Sequence, residues 1–179
     1  MFRKHFSEVS EAMTLLDEQE VMKIVIVLKM VKKEHGTIYV FGNGGSHATA
    51  AHFVNDLTKM LKIRAVCLGD ATSSILAYGN DNGWQNMYAD PLKTLLKPND
   101  ALFGISCSGN SPNVIKALEL GRFKDAYTIG LTGLSRDSDI NHAAQSALVH
   151  VQANDIRVQE DLHLMICHAI VRMAMMETN

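Results

Sequence analysis

His52 and Asp56 stand four residues apart in HATAAHFVNDLTK, a spacing that projects an imidazole and a carboxylate from one face of a helix. Glu160 and His168 stand eight apart, which sets them roughly 80 degrees from one another around a helix. Two imidazoles and two carboxylates make a nitrogen and oxygen donor set that suits zinc and also other divalent metals. The same groups could move a proton, as base and acid. The spacing is not a zinc motif in itself. Taken alone, His168 in an apolar stretch reads equally as a core histidine, and Asp56 as a solvated carboxylate.

Two glycine- and serine-rich segments supply a second kind of chemistry. Phe41-Gly42-Asn43-Gly44-Gly45-Ser46-His47 and Gly104-Ile105-Ser106-Cys107-Ser108-Gly109-Asn110-Ser111 each join an apolar run to a helical segment. Glycine lets backbone approach a ligand closely, and a helix amino terminus offers unpaired N–H groups to an anion. Ser46, Ser106, Ser108 and Ser111 can donate hydroxyl protons to phosphate oxygens. The first segment lacks the third glycine of a dinucleotide fingerprint, and no Gly-Lys-Ser/Thr follows as a Walker loop requires. With no lysine in either segment, a phosphate monoester held by hydroxyls and amides is the better fit.

These segments must be positioned by the elements around them. Thr37 to Phe41, Ala65 to Leu68, Ala101 to Ile105, Thr128 to Leu131 and Ala147 to Val151 read as strands, several of them short continuous apolar runs of the kind covered on both faces. Helical stretches near Ser46 to Met60, Ser73 to Asn80, Trp84 to Leu96, Asn110 to Arg122 and Ile140 to Ala144 alternate with them. The expectation is an α/β fold: a five-stranded parallel sheet, doubly wound and flanked by helices. Both loops then sit at carboxyl ends of strands, where open sheets bind ligands. Two helices precede the sheet, and a long one, about Asp155 to Met176, follows it. Ile24 to Leu28 would point to nearly every side of the second helix, and LHLMICHAIVRMAMM is similarly apolar. Both helices are therefore expected at a subunit interface. The alternative is a helix sandwiched between sheet and neighbour in one subunit.

The 179 residues suit a single domain, 1–179, with 1–35 as an amino-terminal helical extension within it. Net charge is -2 and no segment concentrates Lys and Arg, so nucleic acid is not an expected partner. The longest apolar run is too short to span a bilayer, and MFRKHFSEVSEAM lacks the apolar core of a secretion signal. Cys67, Cys107 and Cys167 lie far apart and are odd in number, which fits free thiols in a reducing cytoplasm.

GNGGSHATAAHFVNDLT, GISCSGNSPNVIKAL, GNDNG from Gly79 to Gly83, IGLTG and EDLHLMICH together resemble SIS-domain proteins, and among them the phosphoheptose (sedoheptulose 7-phosphate) isomerases. The resemblance implies a flavodoxin-like SIS fold, a homotetramer with sites at subunit contacts, zinc in many members, and aldose-ketose isomerisation of a sugar phosphate. Residue by residue, it implies that Asn43, Gly44, Ser46, Ser106, Cys107, Ser108 and Ser111 line the substrate's phosphate end, and that Asp81 faces the sugar. The catalytic carboxylate falls on Asp56 and the catalytic histidine on His168. His52, Asp56, Glu160 and His168 complete the implied metal set, with Glu160 also at the substrate. This chain has Asp56 where the family usually has Glu, Glu160 for Gln, Cys107 for Thr, and Met60 for an arginine, with Lys59 beside it. His47 is placed to line the site, and His163 is a reserve ligand. The competing readings are a non-enzymatic SIS module that binds a sugar phosphate or a protein, and an isomerase of a different phosphosugar.

Overall fold

The five apolar runs pair into one parallel sheet in the computed structural model, which describes residues 2–133 and 137–176. The strands are β1 (Thr37–Gly42), β2 (Arg64–Cys67), β3 (Ala101–Ser106), β4 (Tyr127–Thr132) and β5 (Ala147–His150), in the order β2-β1-β3-β4-β5. Each lies within one residue, at either end, of the run read from the sequence. The helices are α1 (Phe2–Thr14), α2 (Glu18–Lys33), α3 (Gly45–Lys59), α4 (Thr72–Asn82), α5 (Ala89–Leu95), α6 (Pro112–Phe123), α7 (Ile140–Ala143) and α8 (Ile156–Met176).

One expected helix is broken. The stretch from Trp84 to Leu96 divides into a 3-10 turn at Trp84–Asn86 and α5. Pro91 explains the break: it has no N–H for a continuing helix and is tolerated only in a first turn, where α5 places it.

Strand residues alternate between two cores. Ile38, Val40, Ala101, Phe103, Ile105, Ile129 and Leu131 face α2, α3 and α8, whereas Tyr39, Phe41 and Leu102 face α5, α6 and α7. This is the period-two consequence of pleating. At the strands' amino ends the buried Asp100 accepts from the amides of Thr37 (2.7 Å) and Lys97 (2.8 Å), tying β1 to the start of β3.

The second helix corrects the interface expectation. Asp17 caps α2 by accepting from the Gln19 amide at 2.9 Å, and Ile24, Val25, Val27 and Leu28 are all buried within a single chain. Only Ile26 of that run is half exposed. The helix is greasy nearly all round because sheet and α8 cover it from two sides, so the run itself does not call for a second subunit.

α8 is held to the sheet by a buried histidine. His163 is fully buried, with Nε2 3.1 Å from the Thr132 carbonyl and Nδ1 3.9 Å from Cys107 Sγ. It is a core residue rather than a reserve metal ligand, since its ring is spent on β4. Burial lowers its pKa from 6.5 to about 4, so the folded state keeps it neutral. The unfolded chain then binds the extra proton between those values, and stability must rise with pH across that window. Acidifying from pH 7 to pH 5 should cost about 2 kcal/mol through this group. Urea denaturation at the two pH values should show the loss in the parent and a smaller one in His163→Gln.

Candidate functional site

The strand order brings the two loops together. β1 and β3 are neighbours, with Gly42 opposite Ile105, but the chain leaves them in opposite directions: α3 returns over one face and α6 over the other. Diverging crossovers open a crevice at the carboxyl ends of these strands, the usual ligand position in such sheets.

Within it, Asn43 and Asn113 exchange two amide hydrogen bonds, 3.0 and 2.8 Å, and so clip the first loop to the start of α6. Ser106 Oγ lies 3.0 Å from Ser111 Oγ and 3.4 Å from Ser108 Oγ, and it accepts from the Gly109 amide at 3.1 Å. Gly109 closes this turn at φ +69, a left-handed conformation that glycine adopts without strain. Ser46 is buried, with Oγ 3.8 Å from Cys107 Sγ. Burial raises the Cys107 pKa, Ser46 opposes that shift, and the Glu160 charge adds to it.

Neither Gly44 nor Ser111 caps its helix with a side chain. The amino terminus of α3 has no side-chain cap, while at α6 Pro112 carries no N–H and Val114 donates to the Asn113 amide oxygen at 3.0 Å, so α6 contributes chiefly its positive dipole end. Two contacts beneath the crevice carry no signal in the sequence. Asn113 is a fully buried amide inside an ordinary helical segment, and Tyr88 donates to the Gly42 carbonyl at 2.6 Å. Burial pushes the Tyr88 phenol up to about 12, so it stays a donor. A buried polar residue announces itself only once its partner is known.

A second constellation lies further along α3. His52 Nε2 is 3.0 Å from His168 Nε2, and Asp56 Oδ2 is 3.5 Å from the first and 3.8 Å from the second. Spacing of four on α3 presents the first two, and α8 packs alongside to bring the third. Three ligand atoms within 4.8 Å of one another form an N/N/O set that fits a divalent cation, with room for further ligands. The imidazole side chains are nearly half exposed, and Asp56 is mostly covered.

Glu160 does not join this group. Eight residues of helix carry it roughly 12 Å from His168 along α8, and its carboxylate lies against Gly45, where any Cβ would overlap it. The four-ligand set expected from the sequence is therefore three residues here, with Glu160 beside the first loop instead. Asp81, exposed on α4, accepts from Asn80 at 2.8 Å and has no hydrogen bond to either loop. His47 lines the edge of the first loop, near Cys67 and Asp70 rather than at the serines.

Over residues 1–133 the chain matches the SIS domain. It is 35% identical to the phosphoheptose isomerase of Helicobacter hepaticus over 179 residues, 94% of this chain and 87% of that protein. The phosphoheptose isomerase of Trichlorobacter lovleyi is 39% identical over 139 residues, 74% of this chain and 69% of that protein. Among solved structures, the phosphoheptose isomerase of Neisseria gonorrhoeae superposes with a TM-score of 0.89 at 30% identity, covering 97% of this chain and 94% of that one. Matched by the family over most of its length and by these relatives at this identity and coverage, the chain belongs to the SIS-domain family, among the phosphoheptose isomerases.

Proposed function

We propose that this chain interconverts sedoheptulose 7-phosphate and D-glycero-D-manno-heptose 7-phosphate, supplying heptose for surface polysaccharide. The observation that carries the reading is the meeting of His52 and Asp56, on the helix that begins at the first phosphate loop, with His168 of α8. A protein that only bound sugar phosphate would need the crevice and not this group.

Ser46, Ser106, Ser108 and Ser111, with the amides around Asn43 and Gly44, hold the phosphate and fix the far end of the chain. Asp56 takes the proton from the carbon beside the carbonyl, leaving an enediol, and returns it to the neighbouring carbon. His168 carries the second proton between the two oxygens, so the sugar is isomerised with no net gain or loss of electrons. Each transfer contributes roughly 10² to 10⁴ in rate. His52, Asp56 and His168 would hold a zinc ion, which when bound supplies Lewis-acid polarisation of the carbonyl. Glu160, beside Gly45, would meet sugar hydroxyls near the phosphate end, and Cys107, 3.8 Å from Ser46 Oγ, would border the same end. Asp81 would reach the sugar from α4. The second reading, an isomerase of another phosphosugar, is favoured by Glu160: a carboxylate beside Gly45 selects differently from a neutral amide.

A homotetramer in the cytoplasm completes the proposal. None of the eleven residues of α4 is buried, α1 buries only Ala12, and Phe2, Phe6 and Leu76 stand exposed. All three cysteines are free thiols, as a reducing compartment keeps them. No helix among the described residues is long and apolar enough to cross a membrane.

Proton NMR of the protein with sedoheptulose 7-phosphate, and with other ketose phosphates in parallel, should show a new aldose phosphate from the heptulose first; no product from any of them overturns the enzyme. Asp56→Asn should lower kcat by about 10² to 10⁴ with little loss of phosphate binding, and Asp56→Glu should retain activity. Zinc content then separates roles, since loss of the ion in Asp56→Asn marks a ligand and retention marks a base. Ser108→Ala should weaken sugar phosphate binding by about 1 to 3 kcal/mol, and unchanged calorimetric affinity would remove Ser108 from the phosphate site. Light scattering at micromolar concentration should report four chains; a stable monomer would refute the assembly.

A further inference from the structure

Across α3 from the proposed catalytic group lies a cluster that the isomerisation does not use. Cys67 ends β2, Asp70 sits in the short turn after it (Leu68–Asp70), and His47 opens the first full turn of α3. His47 and His52 are five residues apart, which turns them roughly 140 degrees from each other and separates them by about 7.5 Å along the axis. The two clusters therefore face different sides of one helix and cannot share an ion.

Cys67 Sγ lies 3.6 Å from His47 Nδ1, and one ligand atom each from Cys67, His47 and Asp70 falls within 4.8 Å of the others. At tetrahedral angles, a zinc–sulfur bond of about 2.3 Å and a zinc–nitrogen bond of about 2.0 Å span an S···N edge of roughly 3.5 Å. The observed 3.6 Å is close to that edge. Asp70 Oδ1 stands 3.4 Å from His47 Nε2 on an exposed side chain, and can swing to the third position. The backbone amides of Gly69 and Asp70 approach the sulfur, but burial and the Asp70 charge outweigh them and push the thiol up to about 11, so an ion would bind by displacing its proton. Residue 69 has to be glycine for the cluster to form, because any Cβ there would overlap the His47 ring. Cys67 is buried while Asp70 is open to solvent, so an ion would enter from the carboxylate side and meet the sulfur last.

We propose that His47, Cys67 and Asp70 form a second cation site, for zinc or a divalent ion of similar size and softness, with a water as fourth ligand. The sulfur ligand distinguishes it from the N/N/O group of His52, Asp56 and His168 and favours softer ions. Since His47 directly follows Ser46, an ion here ties the phosphate loop to the end of β2. It would set how freely the first loop moves.

Cobalt(II) titration of the full-length protein, stripped of metal and kept free of oxygen, tests this directly. A thiolate–cobalt charge-transfer band in the near ultraviolet should appear in the parent and persist in His52→Ala and in Cys107→Ser, and it should vanish in Cys67→Ser. No band in the parent, or a band that survives Cys67→Ser, overturns the site. Asp70→Asn changes an exposed side chain with little risk to folding and should weaken the cobalt affinity giving that band by at least tenfold; unchanged affinity removes Asp70 and with it the three-ligand site. Because the readout is a thiolate band, it is independent of whether the protein isomerises any sugar.

Discussion

Phe53 and Leu57 on α3, and Ile166, Cys167 and Ile170 on α8, are wholly or almost wholly buried in one core above the sheet. Burying side chains of this size is worth roughly 1.5 to 3 kcal/mol each, and that is what presses α8 along α3. The polar groups ride on the rim of this contact. His52 and Asp56 project from the α3 side and His168 from the α8 side, so three ligand atoms meet although 112 residues separate Asp56 from His168 in the chain. The same contact delivers Glu160 to Gly45, since the helices run together over their length. Anything that rotates α8 about its axis would move both pairs at once.

The phosphate crevice depends on a different constraint, the order of the strands. Only where the crossovers from neighbouring strands part to opposite faces do two helix amino termini open on one point. At α3 no side chain caps the first turn, whereas at α6 Pro112 has no N–H and the Asn113 side chain accepts from Val114, so an anion would find its free amides chiefly at α3. Beneath it the reciprocal Asn43–Asn113 pair and the Tyr88 hydroxyl on the Gly42 carbonyl fix the floor, so the loops need not be ordered by the ligand. Preorganisation of this kind reduces the entropic cost of binding.

Burial is distributed unevenly among the helices. The sheet, α2 and the inner face of α8 account for most of the apolar core, whereas α1 and α4 contribute almost nothing to it. An amphipathic helix gains little stability without a surface for its apolar stripe. The exposed Phe2, Phe6 and Leu76 therefore belong to the same physical question as the half-exposed imidazoles of His52 and His168: each has a face with no cover inside one chain.

Much of this was legible in the residues. Apolar runs of four or five residues between helical stretches specified five strands to within a residue at each end, because β1, β3 and β4 are buried on both faces and the partly exposed edge strands β2 and β5 keep the same apolar, β-branched character. The Gly/Ser segments marked both loops, and i,i+4 spacing put His52 and Asp56 on one face, because these are properties of local geometry. Pro91 was just as local, and reading past it joined two elements that the backbone separates. The remainder is not local. Whether the Ile24 to Leu28 run faces a partner or the chain's own α8, whether His163 ligates a metal or bonds Thr132, and how far Glu160 stands from His168's neighbours are decided by which helices pack together. Asn113, Tyr88 and the Cys67–His47 contact became visible only there too. A side chain's chemistry is written in its residue type, but its partner is chosen by long-range packing, which no short window of sequence contains.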